Sequence, residues 1–424
     1  MSHRLARRNA CRPPVIAAAL ALGLLLAGAS VAEDRKAPSL DPDVLAQEID
    51  RLKPLLASQP NNAALTQQLA LVYNARGVSL ADHQQWDVSL EQFRQALTLQ
   101  PQNATIERNL VQALIGSAYH LYDARKTAQA KRLLTEALRY PPTYEGLMLA
   151  GQLAYDDQQL KDAERYWTQA LRLKPDGADA QSRLAQLARE RPIEDQFGKI
   201  SQQFFDIRYN ANLEDAGTLR GALLDARRVA GQAFHYFPAH KIVVLVYTEE
   251  QFRQLHRDMP EWLGGQYDGK IRIPIRSQDP QAFRRILWHE YTHALVHDLS
   301  LNRCPTWLNE GLAEYEGSTQ QTLPLEPLRA AATASPKRLL DLTALSAAFN
   351  PQASAEQASL AYAQAYSLIG YVVERYGLWR LTRVLKRLGA GETFDAAWKA
   401  ELHVTPQTVY QRWLAAVPTL LDHP

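Results

Sequence analysis

The chain has 424 residues, 47 Lys and Arg against 45 Asp and Glu, a formal charge of +2 and 46% hydrophobic residues. That length accommodates two or three domains. The near-neutral balance argues against a nucleic-acid binder held by phosphate charge, and two cysteines allow one disulfide at most, so stability has to come from packed cores.

The N-terminus MSHRLARRNACRPP carries Arg4, Arg7, Arg8 and Arg12, and the apolar run VIAAALALGLLLAGASVA that follows ends in the small residues Ser30, Val31 and Ala32. A cationic start, an apolar stretch and a small-residue exit predict a secretory signal peptide over residues 1–32. The run is near the lower limit for spanning a bilayer, and Cys11 precedes it where a lipoprotein needs a cysteine after it. The protein is therefore expected to be exported, to a periplasm or the extracellular space, with no stable membrane anchor after cleavage. Without the four leader arginines the charge becomes about −2, and Cys304 is the only cysteine left.

Residues 33–193 read as amphipathic helices in repeated pairs. Gly151, Ala163, Trp167, Ala170 and Pro175 stand at small, small, aromatic, small and proline positions, and the same offsets recur at Gly77, Ser89, Phe93, Ala96 and Pro101. A middle unit has Ala118, Ala130, Leu134, Ala137 and Pro142. Small residues suit a close helix crossing, the aromatic fills the gap, and proline stops the second helix. The pattern resembles the tetratricopeptide repeat, TPR. That resemblance implies an all-α solenoid whose concave groove takes a protein partner; a helical spacer that binds nothing is the plainer alternative.

From 194 to 424 the grammar becomes α+β, with a helical C-terminal part. QQFFDIRYN (202–210) and KIVVLVYT (241–248) are short β-branched and aromatic runs. In YDGKIRIPI (267–275), Ile271, Ile273 and Ile275 share one face and Lys270 and Arg272 the other, and Pro274 predicts a sheet edge. Asp279 and Pro280 then predict the start of a helix that runs to about Leu299.

That helix carries WHEYTH, residues 288–293. His289 and His293 are four apart, one turn above the other, so both imidazoles can aim at one ion, and Glu290 is placed to reach a metal-bound water. A catalytic zinc takes three protein ligands. The following segment CPTWLNEGLAEYEG (304–317) offers Glu310 and Glu314, four apart on one face, of which one carboxylate completes the site and the other holds a histidine ring. Pro305 suits the start of this second helix and Gly317 its end, while Gly311 predicts close approach of the two helices. His297 is one turn too far along a straight helix to converge with the other two, Val296 and Leu299 depart from the metzincin pattern, and Cys304 reads as a free thiol.

HEYTH followed by WLNEGLAEY resembles the gluzincin zinc peptidases, and most closely the peptidase MA-like domains of exported bacterial proteins. The resemblance spans roughly residues 240 to 420. It implies a zincin-like metallopeptidase domain with Glu310 as third ligand and Glu314 at the outer position behind a histidine, while the 16-residue spacer from Ala294 to Asn309 is a little short for the aminopeptidases of the group. GGQYDGKIRIPI resembles the family's edge strand along the cleft, and AYAQAYSLIGYVVERYG (361–377) its downstream helix. On that helix Tyr362 and Tyr366 are candidates to donate to an oxyanion, with Tyr366 preferred. The expected function is an exported zinc-dependent peptidase acting on peptides or unfolded protein. A TPR adaptor whose peptidase-like domain binds without turnover is the alternative.

Overall fold

The computed structural model describes residues 41–210, 216–257, 264–275, 280–319, 324–334, 339–350 and 352–422. The expected signal peptide and the expected Asp279 cap lie outside them. The chain forms two compact units: one runs through Leu153 and includes Asp162–Gln181, and the other takes Ala154–Lys161 and everything from Ser182 onward. Residues 182–193 thus group with the second unit. No helix among the described residues is long and apolar enough to cross a membrane.

The first unit is built from α1 (Pro42–Ser58), α2 (Ala63–Asp82), α3 (Trp86–Leu99), α4 (Ala104–Asp123), α5 (Thr127–Ala137), most of α6 (Tyr144–Asp156) and α7 (Leu160–Leu173). Asn62 and Asn103 cap α2 and α4, their side-chain oxygens accepting from Leu65 N and from Thr105 N and Ile106 N. The periodic small residues do what their spacing implies. A Cβ on Gly77 would stand 2.8 Å from the Phe93 ring and one on Gly151 2.3 Å from that of Trp167, while Ser89 Oγ donates to Gly77 O at 2.7 Å. In the middle pair those places are taken by Ala118 and Leu134, both buried in one apolar cluster. The turn within each pair also repeats: Gln84, Arg125 and Gln158 all adopt φ near +60°. Each turn is closed by the same backbone bond across five positions, Gln85 N to Leu80 O, Lys126 N to Leu121 O and Gln159 N to Ala154 O, at 2.8–2.9 Å.

The second unit begins with the last turns of α8 (Ala178–Glu194) and a five-stranded mixed sheet of order β1-β2-β3-β5-β4. Its strands are β1 (Phe197–Ser201), β2 (Phe205–Asn210), β3 (Ile242–Tyr247), β4 (Gln266–Tyr267) and β5 (Ile271–Pro274). β2, β3 and β5 run parallel, and β1 and β4 add antiparallel at the two sides. The single edge strand expected over 267–275 is therefore a hairpin, and its second arm lies inside the sheet. Pro274 remains compatible because β4 covers only Ile271 and Arg272. Ile275 N donates to Tyr247 O on the β3 side, so alternation turns the proline nitrogen the other way, past the end of β4.

Phe205, Ile207, Val244, Val246, Ile271 and Ile273 on one sheet face join the main core with α9 (Ala216–Ala233) and α11 (Pro280–Ser300). Each large apolar side chain so buried contributes on the order of 1.5–3 kcal/mol. α10 (Glu249–Leu255) packs on the opposite face through Phe252, with Leu245, Tyr247 and Ile193. α12 (Thr306–Ser318), α13 (Glu326–Ala334), α14 (Leu342–Ala348), α15 (Ala355–Tyr376), α16 (Leu378–Gly389), α17 (Phe394–Leu402) and α18 (Pro406–Asp422) complete the unit.

Candidate metal centre

α11 and α12 are joined by a tight connection in which Leu301 and Asn302 take φ of 47° and 60° and Cys304 is buried. Pro305 caps α12, which ends at Ser318, one residue past Gly317. Gly311 admits a different neighbour from the one expected: a Cβ there would stand 2.6 Å from Ile369 and 3.0 Å from Ala365 O, both on α15. It is Gly317 that faces α11, where a Cβ would lie 3.2 Å from Arg285 O and 3.5 Å from His289 Cβ. Glycines at both points let three helices close around one spot.

At that spot the two histidines and Glu310 converge. His293 Nε2 is 3.0 Å from His289 Nε2, and Glu310 Oε2 is 3.5 Å from the former and 3.7 Å from the latter. The other ring nitrogens are held from behind: His293 Nδ1 by Asn309 Oδ1 at 3.0 Å and His289 Nδ1 by Glu314 Oε1 at 3.2 Å. An acceptor behind each ring holds a proton on Nδ1 and turns Nε2 toward the shared point. Arg285 in turn pairs with Glu314 Oε2.

The donor set fits a tetrahedral divalent ion. Bonds of about 2.0–2.1 Å place ligand atoms roughly 3.3 Å apart, and the three separations here, 3.0, 3.5 and 3.7 Å, bracket that edge. Two imidazole nitrogens and one carboxylate are also a donor chemistry that suits zinc. These are the residues that could hold a metal among those described.

Glu290 sits beside this cluster and takes no part in it. It is 4% exposed, and its Oε2 has no hydrogen-bond partner among the described residues. Gly265, two residues before the end of β4, passes directly over it: a Cβ on Gly265 would stand 2.7 Å from Glu290 Oε1. Burial pushes the Glu290 carboxyl up to about 7, with the two imidazoles opposing. Burial also works against charge on His289, but the carboxylates of Glu314 and Glu310 outweigh it and raise the ring to about 10. The same opposition, won by the histidines, holds Glu310 below the usual carboxylate range.

Of the two tyrosines on α15, the fold sets Tyr362 against the cluster. Its ring is 6.3 Å from that of His289, and burial together with Glu310, Glu314 and Glu290 drives its phenol well above 10. Tyr366, one turn on, acts electrostatically on Tyr315 of α12 instead. The ring contact with His289 is thus made by Tyr362 and not by the preferred Tyr366, on a helix that Gly311 lets pack closely at Ala365. His297 stands apart from the ligand atoms, its ring 5.5 Å from Tyr267 of β4. Asn309 and Arg285 were not singled out by the sequence reading, although Arg285 lies four residues before His289 on the same helix face.

Residues 238–419 match the Peptidase MA superfamily. That stretch is a little under half of the chain and contains His289, Glu290, His293, Glu310, Glu314 and Tyr362. A comparison with curated proteins finds no match.

Proposed function

We propose that the protein is a zinc-dependent peptidase of the gluzincin type, exported under its leader and carrying a TPR-type region for a protein partner. The observation that carries this reading is Glu290: a buried carboxylate with one oxygen unpartnered among the described residues, beside three convergent donors. An unpaired buried polar atom costs about 1–3 kcal/mol, so a domain that only binds has no use for it there. His289, His293 and Glu310 would hold the ion, with Asn309 and Glu314 orienting the rings. When bound there, zinc would supply Lewis-acid polarisation of the scissile carbonyl and would lower the pKa of a water at the site to about 7. Glu290 takes the proton on its free oxygen and returns it to the leaving amine. The Tyr362 hydroxyl donates to the oxyanion that develops on the substrate.

The segment Gly264–Tyr267 at the outer side of the sheet offers main-chain groups to an extended chain, which favours peptides or unfolded protein as substrate. The test is cleavage of fluorescein-labelled casein and of an unbiased peptide library. Activity should vanish with a chelator and return with zinc. If the zinc-loaded full chain cuts nothing, the peptidase reading fails and the adaptor reading replaces it.

A further inference from the structure

Arg272 and Lys270 were expected on the polar face of a sheet edge, yet each is only 2% exposed. Arg272 Nη1 donates to Glu194 Oε1 at 2.6 Å and to Tyr247 OH, its Nη2 donates to Tyr155 OH at 2.7 Å, and its Nε to Asp268 Oδ2 at 3.1 Å. Glu190 Oε1 is 3.3 Å from the same guanidinium. Tyr155 OH donates on to Glu190 at 2.8 Å and Tyr247 OH to Glu194 at 2.6 Å. Lys270 Nζ lies 3.7 Å from the centre of the Tyr155 ring and donates to Gln158 Oε1 at 2.6 Å, and Gln158 donates to Glu194. All of these residues belong to the second unit. Tyr155, Gln158, Glu190 and Glu194 nevertheless precede residue 238, where the superfamily match begins.

The network grips one object, the β4–β5 hairpin. Arg272 pairs in register with Gln266, Asp268 and Lys270 form its turn, and Gly269 takes φ +108° there. Two residues of chain from the Asp268 end of β4 lead back to Gly265, which roofs Glu290. From this arrangement we infer that Arg272, with Tyr155, Glu190 and Glu194, is a positioning set that holds the Gly264–Tyr267 segment at its height above Glu290. The part of the chain needed for productive placement of that carboxylate therefore reaches upstream of the matched domain, into residues 154–161 and 182–194. Arginine suits this task because its planar fork reaches several acceptors in fixed directions, which a lysine cannot do. The inference deepens the peptidase reading and rests on it only for its effect on turnover.

The test uses the full zinc-loaded chain with Arg272→Lys, Tyr155→Phe and Glu190→Gln, of which the last two are near-isosteric. Amide exchange over 264–275 should become roughly tenfold faster or more, while α11 and α12 keep wild-type protection. Zinc content should stay at the wild-type level. With labelled casein, kcat should fall roughly tenfold or more and KM should change little, because Glu290 loses its roof while the ligands keep theirs. Exchange that is unchanged over 264–275, or that rises equally across the whole unit, overturns the proposal. If the local exchange change appears but wild type cleaves no casein, the anchoring stands and the peptidase reading falls.

Discussion

Two buried polar clusters among the described residues of the second unit are built on opposite principles. Around Arg272 every charged group has opposite charges or hydrogen-bond partners at 2.6–3.3 Å. Around His289 the three donors turn toward one another at 3.0–3.7 Å, and Glu290 keeps an oxygen without a partner among the described residues. A satisfied network fixes backbone; donors that face each other leave work for a ligand. The contrast separates a structural from a chemical role for side chains of similar burial and charge, which composition alone cannot do.

The contrast can be broken first at the metal ligands. His293→Ala should abolish stoichiometric zinc binding while His297→Ala retains it, measured by metal analysis of the purified protein. Retention of zinc by the His293 variant would remove the site. Arg272→Met should leave zinc in place in the folded protein but cost about 3–5 kcal/mol, because it strands Glu190 and Glu194 in the interior; urea unfolding measures it. A cost near zero would show that the network is not a stabilising anchor.

Smaller effects sharpen the comparison. The cluster around Arg272 should give stability a pH signature that the Lys270→Met variant lacks. Burial and then Arg272 hold Lys270 down to about 8, against the partial support of Glu194, Asp268 and Glu190. The unfolded chain binds its proton up to about 10.4. Between those values the unfolded state holds more protons, so wild-type stability should rise with pH by up to roughly 3 kcal/mol relative to the variant. Glu194 gives the acid limb, with the same sign. Burial opposes its charge, but Arg272 and Lys270 win and lower its pKa, so its contribution is present above the ordinary glutamate range and lost as pH falls below it. A wild-type curve parallel to that of Lys270→Met from pH 8 to 10.4 would contradict this.

Glu314→Ala should weaken zinc about 10–100-fold, the usual cost of losing the acceptor behind a histidine. A larger loss than that of Glu310→Ala would reverse the assigned roles. Gly265→Ala should be the mildest change, keeping zinc and the fold while lowering turnover as its methyl displaces the end of the Glu290 side chain. Unchanged turnover would show that the roof does not matter.

The sequence made much of the site legible because its information is local. His289 and His293, then Glu310 and Glu314, each repeat at one helical turn, and the small–aromatic spacings mark the first unit in the same way. The choice between Tyr362 and Tyr366 was not legible, since both lie on one face of α15 and only the fold sets one of them against His289. The hairpin was missed because β4 has two residues, too few to show alternation. Alternation did sort Ile271 and Ile273 from Lys270 and Arg272 correctly, but it could not say that the polar face is buried. The partners of Arg272 lie 25, 78 and 117 positions away, at Tyr247, Glu194 and Tyr155.

The most direct measurement is the paired zinc content and turnover of Glu290→Gln. The amide keeps the shape of the side chain, makes no ligand bond in the proposed site, and cannot take a proton. The expected result is wild-type zinc, wild-type thermal unfolding and a loss of cleavage on the order of 10² to 10⁴. A variant that cleaves as well as wild type, or a wild-type protein that binds no zinc, would contradict the assignment of Glu290 as the base beside a metal held by His289, His293 and Glu310.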